Sequence, residues 1–474
     1  MAELWKLSGL ELGKMIASKE IKPSEVTQAI LTRIEKVNPE INAFCTVAHD
    51  SAMAEARAAD EQVVRGTARG PLFGVPVSIK DLIETRGLRT TFGSLHFEKN
   101  VPAADAVLVE RLRGACCPIL GKTNTPEFGG KFATDNTLFG TSRNPWNRQK
   151  SPGGSSGGAA SQVAAGLGPL AVGNDGGGSI RVPSSCCGVY GLKPQFGRIP
   201  SWPRHDSWST LNHEGPITRT VRDAAAMLDI LAGPDERDRT SLPASRVNYL
   251  KACEGDIKGL KVAWSPDLGY GKVDPEVREI CQKAVRAFEE MDCVVEEAHP
   301  GIPCPDQIFL NLIVPRMVVW LERELPENFQ EKMDPMLTVF LPLMNAMSAR
   351  DVIRAIFSSE ALWDKLSVFF RKYDLLLTPT LATPPYELGI FGPRQVAGEG
   401  VSPLLPFFTF PFNLTGQPAA SIPAGFTKDG LPVGLQIVGR RYDESTVLRT
   451  SACFEEARPW AQRWPPISYE KGGD

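Results

Sequence analysis

Apolar residues recur at helical spacing through the first 65 positions of the chain. Leu12 and Ile16 belong to a first such stretch, and Val26, Ile30 and Ile34 to a second that opens at a proline. A period near 3.6 residues is typical of amphipathic helices, and a proline is tolerated in a helix's first turn. The spacing therefore predicts an N-terminal helical region over about 1–65.

The pattern changes to strict alternation from Leu72 to Leu82. Val75, Val77 and Ile79 occupy every second position, as on one face of a strand. Lys80 then lies on the other face. A lysine near the end of a strand is usually solvated, but a buried one has a lowered pKa and can act as a general base. The alternation alone leaves both interpretations open.

Helices and strands are predicted to alternate along the rest of the chain. Helices are predicted over 107–112, 156–166, 221–231, 275–291, 307–370 and 444–458, and strands over 117–120, 170–172, 189–192, 260–264, 293–296, 375–378 and 433–438. This order is typical of an α/β fold with a sheet covered on both faces. Proline and glycine are spread through the chain, which favours one large domain over 1–474, and a long apolar helical stretch covers about 300–370 of it.

Composition narrows the classes of function. The chain has 474 residues, 42% of them hydrophobic, and a formal net charge of −3 without a basic run, so nucleic acid is not an expected partner. The ten cysteines and five histidines form neither C-x-x-C nor H-E-x-x-H, so the sequence predicts no disulfide frame, metal or cofactor. With no signal-like N-terminus and no apolar run of roughly 18 residues, a cytoplasmic protein without a membrane partner is expected.

A glycine-rich stretch from Gly153 to Arg181 carries the candidate chemistry. It holds two serines in glycine turns, Ser155 and Ser179, and the second follows three glycines. Glycines let backbone N–H groups approach a bound atom closely, which is what an oxyanion hole requires. Taken singly, however, the first turn is also compatible with a plain or phosphate-binding loop, and Ser179 with a helix cap.

Taken together, these segments resemble the motifs of the amidase signature family. The glycine stretch matches at Gly153 to Gly158, Gly173, Asp175, and Gly177 to Arg181 with Pro183. Further matching blocks follow in order at 74–81, 121–124, 143–147, 191–194, 215–219, 412–419 and 430–436. The resemblance extends from about residue 5 to residue 460, and it implies a single domain with a mixed central sheet covered by helices.

The resemblance also implies a Ser–cis-Ser–Lys triad. By position, Ser179 is the nucleophile, Ser155 the bridging serine after a cis peptide bond, and Lys80 the base. The oxyanion hole is assigned to the backbone of Gly176, Gly177, Gly178 and Ser179, with Ser156, Asp175 and Arg181 as supporting residues. The chain departs from the usual pattern at Asn174, where Ser or Thr is common, and at Gly176, where a larger residue is common.

The expected function is hydrolysis of an amide through a serine acyl-enzyme, with a small-molecule amide, carbamate or ester as substrate. Met and aromatic residues are frequent in 305–370 and suit apolar aryl or alkyl ligands. The predicted pocket residues are Phe128, Gly129, Gly130, Trp208, Phe309, Met317 and Met336. A monomer or homodimer is expected.

Two other functions stay open. One is the A subunit of a tRNA-dependent amidotransferase, which releases ammonia from glutamine, although Leu211 to Glu214 departs from the usual sequence there. The other is a non-catalytic protein whose glycine loops bind a nucleotide.

Overall fold

The computed structural model describes residues 3–203, 210–402, 404 and 407–468. Its helices are α1 Gly9–Ala17, α2 Pro23–Ile41, α3 His49–Arg65, α4 Val107–Gly114, α5 Gly157–Ala164, α6 Arg181–Cys187, α7 Val221–Leu231, α8 Tyr249–Ala252, α9 Pro275–Glu290, α10 Asp306–Glu324, α11 Phe340–Ala346, α12 Ala349–Lys372, α13 Pro411–Leu414 and α14 Glu444–Ala457. Its strands are β1 Phe44–Val47, β2 Val77–Lys80, β3 Ile119–Thr123, β4 Asp135–Asn136, β5 Gly140–Thr141, β6 Leu170–Asp175, β7 Tyr190–Lys193, β8 His213–Thr218, β9 Lys261–Trp264, β10 Val294–Glu297, β11 Leu375–Pro379, β12 Gln395–Val396, β13 Glu399–Gly400, β14 Ala419–Phe426 and β15 Pro432–Gly439.

Within these residues an 11-stranded sheet runs in the order β1-β3-β2-β6-β8-β7-β14-β15-β11-β9-β10. Strand β2 is parallel to both β3 and β6, and β9 is parallel to β10 and β11. The remaining neighbours are antiparallel. The sheet is therefore mixed, as expected.

Both faces of the sheet are covered. Leu375 and Leu377 of β11 belong to a core cluster that includes residues of α1, α4, α7, α9 and α14. Leu376, between them, belongs to a second cluster with residues of α12 and α13. Successive side chains of a strand point to opposite faces, so helices lie on each side. The predicted fold class is confirmed.

Several predicted elements differ from the observed ones. The strand expected over 72–82 is shorter, since only Val77–Lys80 pairs with neighbours. The helical stretch expected over 307–370 is divided, and α12 starts at a capping box formed by Ser348 and Asp351. The sequence patterns missed β1, which lies inside the predicted N-terminal helical region, as well as β8 and β14.

None of the helices in the described part of the chain combines the length and apolar character needed to cross a membrane.

Candidate active site

The candidate site lies where two parallel neighbouring strands end. In the pairing of β2 with β6, Ile79 is opposite Val172. Lys80 ends β2, and Asn174 and Asp175 end β6, so the parallel arrangement brings these residues to the same edge of the sheet. The loop after β6 then leads through Ser179 into α6.

Lys80 is fully buried and holds two side chains together. Its Nζ lies 2.6 Å from Ser155 Oγ and 2.6 Å from Asn174 Oδ1. Burial lowers the pKa of Lys80 from 10.5 to about 7, although the carboxylates of Glu214 and Asp175 oppose this change. A substantial share of the amine is therefore neutral near pH 7 and able to accept a proton.

Ser155 comes just before α5, and the peptide bond between Gly154 and Ser155 is cis. The next residue joins the site to the loop after β6. The Ser156 N–H donates to the Ser179 carbonyl oxygen at 3.1 Å, and the Ser156 hydroxyl donates to the Asn174 carbonyl oxygen at 3.2 Å. These bonds link the two segments that carry the candidate serines.

Ser179 is 8% exposed and lines the same cavity as Ser155. Among the described residues, no hydrogen bond joins the hydroxyls of these two serines. The structure thus brings Lys80 and Ser155 into direct contact, and it places Ser155 and Ser179 on the wall of one cavity.

The backbone of the glycine loop faces this cavity in part. Gly176, Gly177 and Ser179 line it, and their N–H groups have no protein acceptor within the described residues. Gly178 differs from the prediction, because its N–H donates to Asp175 Oδ1 at 2.7 Å. Its donor is therefore already used, and Gly178 is not a free oxyanion donor.

Asp175 and Arg181 form a buried ion pair behind the loop. The Arg181 Nη2 lies 2.9 Å from Asp175 Oδ1, and both side chains are fully buried. Burial alone would raise the pKa of Asp175, but the Arg181 guanidinium outweighs it and holds this pKa well below its ordinary value. Asp175 Oδ2 also accepts the Ile180 N–H at 3.2 Å, so the carboxylate shapes the turn that presents Ser179.

The same guanidinium reaches distant parts of the chain. Arg181 donates to the Thr409 carbonyl oxygen at 2.8 Å, to Gln436 Oε1 at 2.7 Å and to Asn413 Oδ1 at 2.6 Å. Charge-assisted bonds of this kind are stronger than neutral ones. The loop carrying Ser179 is therefore fixed to α13 and β15.

The cavity above the serines measures about 220 Å³. An apolar cavity of roughly 150 Å³ is enough to bind benzene, so this one has room for an aromatic ring with a substituent. The predicted residues Phe128, Gly129, Gly130, Phe309 and Met317 all line it.

Two predicted pocket residues do not contribute to this lining. Met336 lies outside it, in a turn whose buried side chain is that of the adjacent Leu337, 2.7 Å from the point a Gly130 Cβ would occupy. Trp208 lies outside the described residues.

An aromatic wall completes the cavity and was not predicted as a unit. Trp320 of α10 packs edge-on against Phe128 at 5.2 Å between ring centroids, and Phe92 lies next to it at 6.5 Å. Phe309, Met317 and Trp320 follow one helical stripe, and this spacing could have indicated Trp320. Phe92 comes from the loop after β2, and no periodic signal marks it.

Comparison with known proteins shows the family. A family model described as Amidase matches residues 25–448. The chain belongs to the amidase signature family. It is 44% identical over 465 residues to an acylamidase of Rhodococcus erythropolis, covering 98% of each protein.

This amidase is also similar to two further proteins. It is 37% identical over 503 residues to the A subunit of the glutamyl-tRNA(Gln) amidotransferase of Carboxydothermus hydrogenoformans, covering 98% of this chain and 100% of that protein. The solved structure of a bacterial aryl acylamidase of the amidase signature family superimposes with a TM-score of 0.93 at 32% identity, over 98% and 99% of the two chains. The enzyme class expected from the sequence, a hydrolase acting on amides, is confirmed.

Proposed function

We propose that this amidase hydrolyses small apolar aryl or alkyl amides through an acyl-enzyme on Ser179. The observation that carries the proposal is the buried Lys80 amine, 2.6 Å from the Ser155 hydroxyl at the edge of the cavity that Ser179 lines. A neutral amine in this place is a base, and a serine hydroxyl needs one to become a nucleophile.

Protons move along the two hydroxyls in the proposed first step. The lone pair of Lys80 takes the hydroxyl proton of Ser155, and Ser155 takes the proton of Ser179. The Ser179 oxygen bonds to the substrate's carbonyl carbon, and the carbonyl electron pair moves to its oxygen. A pKa of about 7 for Lys80 supports this role, because a general base works best with a pKa near the operating pH.

The developing oxyanion is proposed to accept hydrogen bonds from the backbone N–H groups of Gly176, Gly177 and Ser179. Removing one such donor typically costs about 3–4 kcal/mol of barrier. When the C=O bond re-forms, the C–N bond breaks, and the amine leaves with the proton returned from Lys80 through Ser155. In the second round, water gives a proton to Lys80 through Ser155, and its oxygen bonds to the acyl carbon. The bond between that carbon and the Ser179 oxygen then breaks, Ser179 takes the proton back through Ser155, and the acid leaves.

The cavity lining supports an apolar acyl or aryl group. Phe128, Met317 and Trp320 line the same cavity as the two serines, and aromatic or Met side chains contact apolar ligands well. The structural similarity to an aryl acylamidase favours the same class. Carbamates and esters with similar groups fit the proposed acyl transfer as well.

Release of ammonia from glutamine, in the manner of an amidotransferase's glutaminase component, is a second candidate. The 37% identity to such a component favours it. The aromatic wall favours the first candidate, since glutamine offers charged groups rather than an apolar ring.

Hydrolysis of a panel of anilides, fatty amides, carbamates, esters and glutamine tests the proposal. We expect the anilides and fatty amides to be cleaved, and Ser179→Ala to abolish turnover and fluorophosphonate labelling. Ser51→Ala, which removes an exposed hydroxyl of α3, is the matched control and should retain both. Labelling that persists in Ser179→Ala, or glutamine as the sole substrate, would refute it.

A further inference from the structure

Asn174 touches the same lysine nitrogen as Ser155. Its Oδ1 lies 2.6 Å from Lys80 Nζ, on the strand end next to β2, and its side chain also lines the cavity. The Asn174 backbone is fixed from behind, because its carbonyl oxygen accepts the Ser156 hydroxyl proton at 3.2 Å. This is the position at which the sequence departs from the hydroxyl residue common in the family.

We propose that Asn174 is a positioning residue that aims the lone pair of Lys80 at the Ser155 hydroxyl. The inference rests on the proposed function. A neutral primary amine has two N–H donors and one lone pair. When the carboxamide oxygen of Asn174 accepts one N–H, rotation about the last side-chain bond is restricted, and the lone pair stays available to Ser155.

A carboxamide oxygen also differs from a hydroxyl in this place. An amide oxygen only accepts hydrogen bonds, whereas a hydroxyl can also donate one. A hydroxyl that donated to the Lys80 lone pair would compete with Ser155 for it. Asn174 Oδ1 therefore selects the arrangement in which Ser155 is the donor.

The charged groups near Lys80 define what a pH experiment measures. Two carboxylates act on it directly, Glu214 of β8 and Asp175 of β6, and both favour its charged form. Other charged side chains on adjacent elements have partners of their own. Arg181 pairs with Asp175, and Lys131 pairs with Asp135 and Asp334. Asp81 accepts a hydrogen bond from Thr91, and Lys122 donates to Thr85 and Thr90.

The test measures kcat and KM for an anilide from pH 5 to pH 10 in the full-length enzyme. Asn174→Ala should lower kcat by about 10- to 100-fold, the scale expected for a misplaced catalytic group, with KM changed less than threefold. Asn174→Asp keeps the shape but places a carboxylate against the amine. Since an opposite charge favours the protonated lysine, the acid limb of kcat should move up by at least about one pH unit.

Asn345→Asp makes the same chemical change on an exposed part of α11 and should leave the profile unmoved. Asn174→Ser restores an acceptor, but its hydroxyl can also donate to the Lys80 lone pair, so its kcat should lie between those of Asn174→Ala and wild type. The isosteric Asn174→Asp keeps the test decisive even where Asn174→Ala unfolds.

Two results would overturn the inference and leave the proposed function standing, provided that the wild type turns over and is labelled at Ser179. One is a kcat of Asn174→Ala within twofold of wild type, and the other is an acid limb of kcat that does not move in Asn174→Asp. If turnover and labelling were the same in Ser179→Ala as in wild type, the proposed function would be overturned, and the inference with it.

Discussion

Replacing Lys80 by Met measures what it costs to bury the lysine. Burial lowers its pKa from 10.5 to about 7, so between these values the unfolded chain binds more protons than the folded one. The free energy of unfolding must then rise with pH from about 7 to 10.5. Below pH 7, the loss of stability caused by burying the lysine has its full value. At about 1.4 kcal/mol per pKa unit, burial of the lysine lowers the free energy of unfolding by about 4 kcal/mol at pH 7.

The variant removes this cost and also two hydrogen bonds, to Ser155 and Asn174, which are worth about 1 kcal/mol each at any pH. The advantage of Lys80→Met over wild type should therefore be larger at pH 7 than at pH 10, by about 3 kcal/mol. In a chain of 474 residues this corresponds to about 3 °C in Tm.

Scanning calorimetry of both proteins at pH 7, 8.5 and 10 makes the measurement. Lys251→Met, which removes an exposed lysine of α8, is the control and should show no such trend. Parallel Tm curves for wild type and Lys80→Met would mean that the lysine keeps its proton on folding. That result would refute both the neutral amine and its proposed use as a base.

Other outcomes follow from the same geometry. With Lys80 as the base, kcat/KM should rise with pH through about 7 and level off above it; a profile flat from pH 5 to 8 would contradict this. Gly177→Ala places a Cβ 2.7 Å from the Phe309 ring and should lower kcat/KM by at least about tenfold, and Phe309→Ala in the same chain should recover part of the loss. Asp175→Asn leaves Arg181 buried without its carboxylate, so Tm should fall by about 3–5 °C; an unchanged Tm would show that the pair adds nothing to stability.

The sequence predicted those elements whose periodicity was strong. The helix over 221–231 coincides with α7, and the alternation around Ile79 placed Lys80 on the opposite face of its strand. Strands β8 and β14 contain Gly215-Pro216 and Pro423, which weaken any strand pattern. Their place in the sheet is decided by partners far away in the chain, which local patterns do not record.

The candidate site was predictable in its residue types and less so in its hydrogen bonds. The approach of Lys80 to Ser155 followed only from the family resemblance, since 75 positions separate the two. Gly178 was assigned an oxyanion role because backbone donors look alike in sequence, and only the structure records that Asp175 occupies its N–H. Met336 was predicted to line the pocket from its residue type, which does not tell which side chains of a turn reach the cavity.

The bonds of Arg181 have a consequence for synthesis of the protein. They join the turn before α6 to residues 409, 413 and 436, more than 220 positions later in the chain. A ribosome-bound chain that lacks this last segment leaves the guanidinium without three of its acceptors. Hydrolytic competence should therefore arise only after residues 409–436 have been made, so that chains that end before this segment are inert towards amides.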